Sequence, residues 1–194
     1  MDEKKQQRKK LIQKRQALST SQWQEKSLAL GEHLKEFLAT AMIPQDATIL
    51  SYFYVRQEPN LDPLFELDQY YWGVPRCVGQ ELNWHFYHPS DPLVKGRFGI
   101  REPQPEAPIC PVEQVDLIFV PAVACDHRGY RLGYGGGFYD RLFQQPQWRN
   151  IPKVGIIFDF AFVPEVPVEA WDIPLDGVCT NWGWRIPLNQ QREN

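Results

Sequence analysis

Residues 115–124 read VDLIFVPAVA, and this stretch decides the fold. Asp116 and Pro121 aside, it is apolar throughout, the pattern of a central strand covered on both faces. The apolar run it belongs to, Leu117–Cys125, is nine residues long and contains a proline. A membrane helix needs about 20 residues, so the chain reads as soluble.

Outward toward the C-terminus the strand runs into DHRGYRLGYGGGFYDR, residues 126–141, where five of the 13 glycines fall between Gly129 and Gly137. Glycine permits positive φ and close backbone approach, so such a run can turn its N–H groups toward one anion. A helix is predicted from about Phe138 to Phe143, and its first turn would add free N–H groups. Arg131 and Arg141 flank the loop as candidate partners for phosphate oxygens. Neither GxxxxGK[ST] nor GxGxxG spacing is present. Spacing alone leaves two readings open, a phosphate cradle and a structural turn packing a helix on the sheet.

Further strands are predicted at Val154–Phe158 and Leu175–Thr180. Toward the N-terminus, Ala47–Val55 (ATILSYFYV) reads as a buried strand. Leu61–Tyr70 reads as a helix opened by Asp62-Pro63, Gly73–Val78 and Leu82–Tyr87 as short strands, and residues 88–114 as an extended connection. A basic helix is expected over about residues 2–18, with Leu11, Ile12, Arg15 and Leu18 at helical spacing. Ser19-Thr20-Ser21-Gln22 should stop it and cap a second helix to about Leu38. Strands alternating with helices give an α/β fold with a largely parallel central sheet, its site in loops at the carboxyl ends of strands. At 194 residues the chain is expected to form one domain, 1–194.

Charge is unevenly spread. Residues 1–15 hold seven basic and two acidic side chains, a local +5, leaving −8 on the rest of a chain whose net charge is −3. The segment is either a solvated helix face or a device that brings positive charge to an anionic ligand. Cys77, Cys110, Cys125 and Cys179 form no CxxC pair, and no histidine lies at metal-ligand spacing. Reduced core thiols in a cytoplasmic protein without zinc are expected.

The stretch RLGYGGGFYDR strongly resembles the RLGxGxGxYDR signature of the 5-formyltetrahydrofolate cyclo-ligase (5,10-methenyltetrahydrofolate synthetase) family. Weaker matches follow in the family's order: Lys4 to Arg8 for Lys-x-x-x-Arg, YFYVRQE ending at Glu58, VPRC, GIREP, VPAVACD, and Asp172 to Asp176 for Asp-x-x-x-Asp. Cys125 and Phe138 depart from the pattern, standing where members usually carry an aromatic residue and a tyrosine. Phe138 keeps a ring but lacks the hydroxyl.

The resemblance implies a three-layer αβα sandwich similar to sugar-phosphate isomerases and CoA transferases. It implies that ATP drives 5-formyltetrahydrofolate to 5,10-methenyltetrahydrofolate, releasing ADP and phosphate. The formyl oxygen would attack the γ-phosphorus, and N10 would then close the ring and expel phosphate, so positioning and charge neutralisation carry the burden. The family positions assign ATP to Lys4, Arg8, Arg131, Leu132, Gly133, Tyr134, Gly135, Gly136, Gly137, Phe138 and Tyr139. They assign the folate to Phe53, Glu58 and the loop from Tyr134 to Phe138, with Glu58 accepting from pterin N–H groups. Arg131 and Asp140 take the catalytic positions, and Asp140 and Asp172 the magnesium positions, Asp172 directly or through water. The expected partners are these two small molecules alone, with a monomer and neither nucleic acid nor membrane. Two rival readings are another phosphate-ligand enzyme of isomerase or transferase type on the same fold, and a nucleic-acid module using the basic arm. The short arm without interleaved aromatics speaks against the second.

Overall fold

The VDLIFVPAVA run does form the middle of a sheet, but it does not all stay there. The computed structural model describes residues 3–40 and 43–186. Its helices are α1 (Glu3–Gln16), α2 (Thr20–Thr40) and α3 (Phe138–Gln144). Its strands are β1 (Thr48–Leu50), β2 (Tyr71–Val78), β3 (Glu81–Tyr87), β4 (Leu93–Lys95), β5 (Arg101–Pro103), β6 (Val115–Pro121), β7 (Ala124–Asp126), β8 (Arg131–Leu132), β9 (Lys153–Ile156), β10 (Phe162–Val163), β11 (Gly177–Thr180) and β12 (Gly183–Ile186). Residue 2 of the expected first helix and residues 187–194 of the expected domain lie outside the described residues.

Seven strands form the main sheet in the order β12-β11-β9-β6-β1-β2-β3. The five inner strands pair in parallel, and β3 and β12 run antiparallel at the edges. Side chains alternate between its faces. Ile49, Leu117, Phe119, Val154 and Ile156 pack with Leu30, Leu34 and Leu38 of α2. Leu50, Ile118, Val120 and Val178 pack with Leu142 and Phe143 of α3 on the other face. Helix, sheet and helix are the three layers. The capping box is formed as expected: Gln22 N donates to Ser19 Oγ at 3.2 Å and Ser19 N to Gln22 Oε1 at 2.9 Å.

Four predicted elements come out differently. The strand expected over 115–124 leaves the main sheet after Pro121, and Ala124–Asp126 joins a second sheet of order β10-β7-β8. Proline cannot extend a ladder, and the buried Asp126 carboxylate then turns the chain by collecting the N–H groups of Arg128, Tyr130 and Val166. The strand expected over 47–55 pairs only through Thr48–Leu50, because Arg56 and Gln57 take left-handed φ values of 49° and 57° and fold the chain back. The helix expected over 61–70 is a short 3-10 helix, Asp62–Glu66, followed by one further turn of the same kind closed by Tyr70. Leu61, Leu64, Leu67 and Tyr70 recur every third residue, the 3-10 period, and each of the last three donates its N–H to the carbonyl three back, at 2.9, 3.0 and 3.1 Å. The extended connection 88–114 holds a hairpin, β4 with β5. The short strands β8, β10 and β12 had no separate sequence signal. All four cysteines are free, and Cys110, Cys125 and Cys179 are buried.

Candidate active site

α1 packs on the second sheet through Leu11, which joins Val123, Ala124, Leu132 and Val166. Lys4, Arg8, Leu11 and Arg15 recur at steps of four, three and four and so share that face. The Lys4 ammonium lies 3.2 Å from Asp172 Oδ2 and 3.5 Å from Glu169 Oε1. Arg8 Nε donates to the Gly133 carbonyl at 2.7 Å. Arg15 is 4% exposed; its Nε donates to the Arg56 carbonyl at 3.0 Å and its Nη2 to the Tyr134 hydroxyl. One helix thus sets Arg8 and Arg15 on the glycine loop and Lys4 on Asp172.

Within the loop, Gly135 and Gly137 have φ of +94° and +69°, which L side chains adopt only with strain. α3 has seven residues, so side chains carry the loop's charge. The two flanking arginines diverge. Arg131 Nη2 donates to Asp140 Oδ1 at 2.5 Å and Nη1 to the carbonyl of Ile173 at 3.4 Å, next to Asp172. Arg141 turns the other way, donating to the carbonyls of Gln80 and Gly136, both at 2.9 Å. Leu132 is buried, and the Tyr139 ring packs between Trp84 and Phe143 with centroids 6.5 and 5.7 Å away. Burial pushes the Tyr139 phenol upward, and Glu58 adds to the shift.

Glu58 sits past the end of β1, where the left-handed pair Arg56-Gln57 turns it inward. It is 2% exposed. Its Oε2 accepts from the Val55 N–H at 3.0 Å, and Oε1 stands 3.9 Å from Arg15 Nη1 without a hydrogen-bond partner. Burial pushes its carboxyl up to about 7, against the pull of Arg15, the Val55 N–H and Arg56. The structure therefore joins Glu58 to the glycine loop through Arg15, which touches both.

Phe53 is 4% exposed and packed edge-on against Phe65 and Tyr87, with the Arg101 guanidinium 4.5 Å from its centroid. Phe138 meets Phe98 edge-on at 5.7 Å. Sequence reasoning missed Arg15 and Arg56 as site residues. Arg15 was legible from its place on the Lys4–Arg8 face; Arg56, exposed with its guanidinium 5.7 Å from the Tyr134 ring centroid, had no such signal. Among the described residues no three His, Cys, Asp or Glu side chains gather as a metal nest. A cavity of about 400 Å³ runs along α3, lined by Trp84, Phe138, Arg141 and Leu142 and not by Glu58.

The family model of the 5-formyltetrahydrofolate cyclo-ligases matches residues 1–181. The chain belongs to that family. The Escherichia coli K12 5-formyltetrahydrofolate cyclo-ligase is 35% identical over 183 residues, covering 89% of this chain and 98% of that protein. The NMR structure of the Aquifex aeolicus 5,10-methenyltetrahydrofolate synthetase superposes with a TM-score of 0.77 at 34% identity, over 98% of this chain and 95% of that one. The Mycoplasma pneumoniae synthetase gives 0.74 at 27%, over 93% and 99%. The activity that goes with the cyclo-ligase family is that of an ATP-dependent ligase, and neither rival reading finds support. Among the described residues no helix is long and apolar enough to cross a membrane.

Proposed function

We propose that the chain, as one domain over 1–194, converts 5-formyltetrahydrofolate to 5,10-methenyltetrahydrofolate with ATP, the pterin seated on Glu58 and the triphosphate on Lys4, Arg8, Arg131 and the loop from Leu132 to Phe138. The observation that carries this reading is Glu58 Oε1, a buried acceptor without a donor. Leaving such an atom unpaired costs about 1–3 kcal/mol, and the N–H edge of a pterin supplies what it lacks. Donors favour the ionised carboxylate, so binding pulls the proton from Glu58. Folate affinity then rises as pH climbs through about 7.

The phosphate side works by exchange. Lys4 is paired with Asp172 and Arg131 with Asp140. A triphosphate offers both cations better partners, since phosphate oxygens take Arg in bidentate fashion, and both carboxylates are then released. These two hard oxygen donors suit magnesium, which takes one or two carboxylates and completes its shell with water and phosphate. Asp140 and Asp172 would hold it, and when bound it neutralises and orients the triphosphate oxygens. Arg131, released from Asp140 and still held by the Ile173 carbonyl, meets the charge that develops on the transferred phosphoryl group. Arg8 is kept in place by the Gly133 carbonyl. Phe53 stands at the pterin end, with the Arg101 guanidinium over its ring. No side-chain nucleophile is required, because the formyl oxygen attacks phosphorus and N10 closes the ring.

The test is direct. Purified protein, magnesium-ATP and 5-formyltetrahydrofolate should together generate the methenyl chromophore in the near ultraviolet. Omitting any one should abolish it; a signal without ATP would refute the proposal.

A further inference from the structure

The β4–β5 hairpin touches the proposed folate cleft at two places. At the first residue of β5, opposite Lys95, Arg101 lies over Phe53, with the guanidinium 4.5 Å from the ring centroid. At its tip, between Gly96 and Gly99, Phe98 meets Phe138 of the glycine loop. Phe98 is 50% exposed although it is a large apolar ring. Each ring of this pair carries a cation, Arg97 at 5.4 Å from the Phe98 centroid and Arg141 at 5.2 Å from that of Phe138. Arg97 Nη1 contacts the Gly79 carbonyl at 3.4 Å and Arg141 Nε the adjacent Gln80 carbonyl at 2.9 Å, so the β2–β3 turn holds both guanidinium groups close together. Neither makes an ion pair with a described carboxylate, whereas Arg101 and Arg131 of the same cleft do. Two guanidinium groups with only carbonyls for partners, each stacked on a half-open ring, suit a ligand that joins an aromatic ring to an anion.

Resting on the proposed folate site, we infer that Arg97, Phe98, Phe138 and Arg141 form the subsite for the aminobenzoyl ring and glutamate carboxylates of the folate, with Arg97 reading the tail. The pterin end lies under Arg101, by Phe53 and Glu58, and the aminobenzoyl ring and tail continue to Phe98, three residues earlier at the tip of the hairpin. Phe138 fits this role without a hydroxyl, since its ring offers an edge to Phe98 and a face to Arg141. The same chemistry, a ring bearing an anion, also describes a nucleotide, and the experiment separates the two.

Equilibrium binding to the full chain would be compared for 5-formyltetrahydrofolate and 5-formyltetrahydropteroate, which keeps the pterin, the ring and N10 but lacks the glutamate. The unaltered protein should prefer the glutamate form by about tenfold, the scale of a charge-assisted hydrogen bond. Arg97→Gln should reduce that preference to within about twofold by weakening the glutamate form alone. Phe98→Ser should weaken both ligands. Equal weakening of both by Arg97→Gln, a rise in ATP KM in place of the folate effect, or no preference in the unaltered protein would each overturn the inference. Binding is read without turnover. A protein that shows the preference but forms no methenyl chromophore would therefore refute the proposed reaction and leave the subsite standing.

Discussion

Glu58 and Asp140 are carboxylates on the two sides of one cleft, in opposite surroundings. The Glu58 side chain is 3% exposed, with one oxygen unpartnered and a cation 3.9 Å away. The Asp140 side chain is 37% exposed and closely paired with Arg131. The first is a polar group kept dry and short of a donor, so it selects by what a ligand supplies. The second is partly exposed and neutralised by a buried arginine, a pair that an anionic ligand can re-partner, which suits a ligand that arrives charged and leaves in pieces. Burial gives specificity at one end, and exchangeable charge gives turnover at the other.

Breaking the dry side should have the largest effect. Glu58→Gln removes the charge and turns one acceptor into a donor, so folate affinity should fall by about 2–4 kcal/mol, while ATP affinity hardly moves. Calorimetric titration with each ligand checks this; parallel loss of both would erase the distinction between the two ends.

The same residue should mark stability. Its folded pKa of about 7 exceeds the ordinary 4.5, so between those pH values the folded state holds more proton than the unfolded one. Stability from this group is therefore full below about pH 4.5 and falls as pH rises to 7, by at most about 3 kcal/mol. Urea midpoints at pH 5 and pH 8 should differ more for the unaltered protein than for Glu58→Gln. An identical difference in both would show that the carboxyl ionises as if exposed.

On the partly exposed side, Asp140→Asn should lower kcat by about ten- to a hundredfold, or about 1.4–3 kcal/mol. Asp172→Asn should cost less, and added magnesium should restore part of either loss. Asparagine keeps an oxygen for Arg131 or Lys4, so melting temperatures without ligand should stay within a few degrees. A variant that unfolds without ligand would mark its aspartate as structural.

The smallest effect is expected from deleting residues 1–9, which removes Lys4 and Arg8 but leaves Leu11 in its cluster. ATP KM should rise by somewhat more than the ~1 kcal/mol of an exposed ion pair. An unchanged KM would return both residues to solvent.

What the sequence disclosed depended on whether the signal was local. The capping box at Ser19–Gln22 and the unbroken apolar run Leu117–Val120, covered on both faces, are written into neighbouring residues, and both appear as read. The glycine loop was found because five glycines and two arginines crowd into a short stretch. It could not be foreseen that Arg131 and Arg141 would diverge, since that follows from Asp140 on one side and the β2–β3 turn on the other. The every-third-residue spacing from Leu61 to Tyr70 was present in the sequence, but it reads as α-helix unless the 3-10 period is considered. Glu58 was reached through resemblance; its unpartnered oxygen depends on a backbone turn at Arg56-Gln57, where neither residue is glycine and no sequence signal announces a left-handed bend.

α1 fully buries only two side chains, Leu11 and Arg15, with Ile12 partly buried beside them, and most of its remaining links to the body are polar. Regions with few buried apolar contacts open locally at a fraction of the global unfolding free energy. The amides of α1 should therefore exchange with solvent deuterium well before those of α2, which is anchored by Leu30, Leu34 and Leu38. Nucleotide should slow that exchange, because a ligand bound by the docked helix stabilises the docked state in proportion to its saturation. The helix would then report on occupancy through its own opening rate, and the enzyme would be tightest when both substrates are aboard.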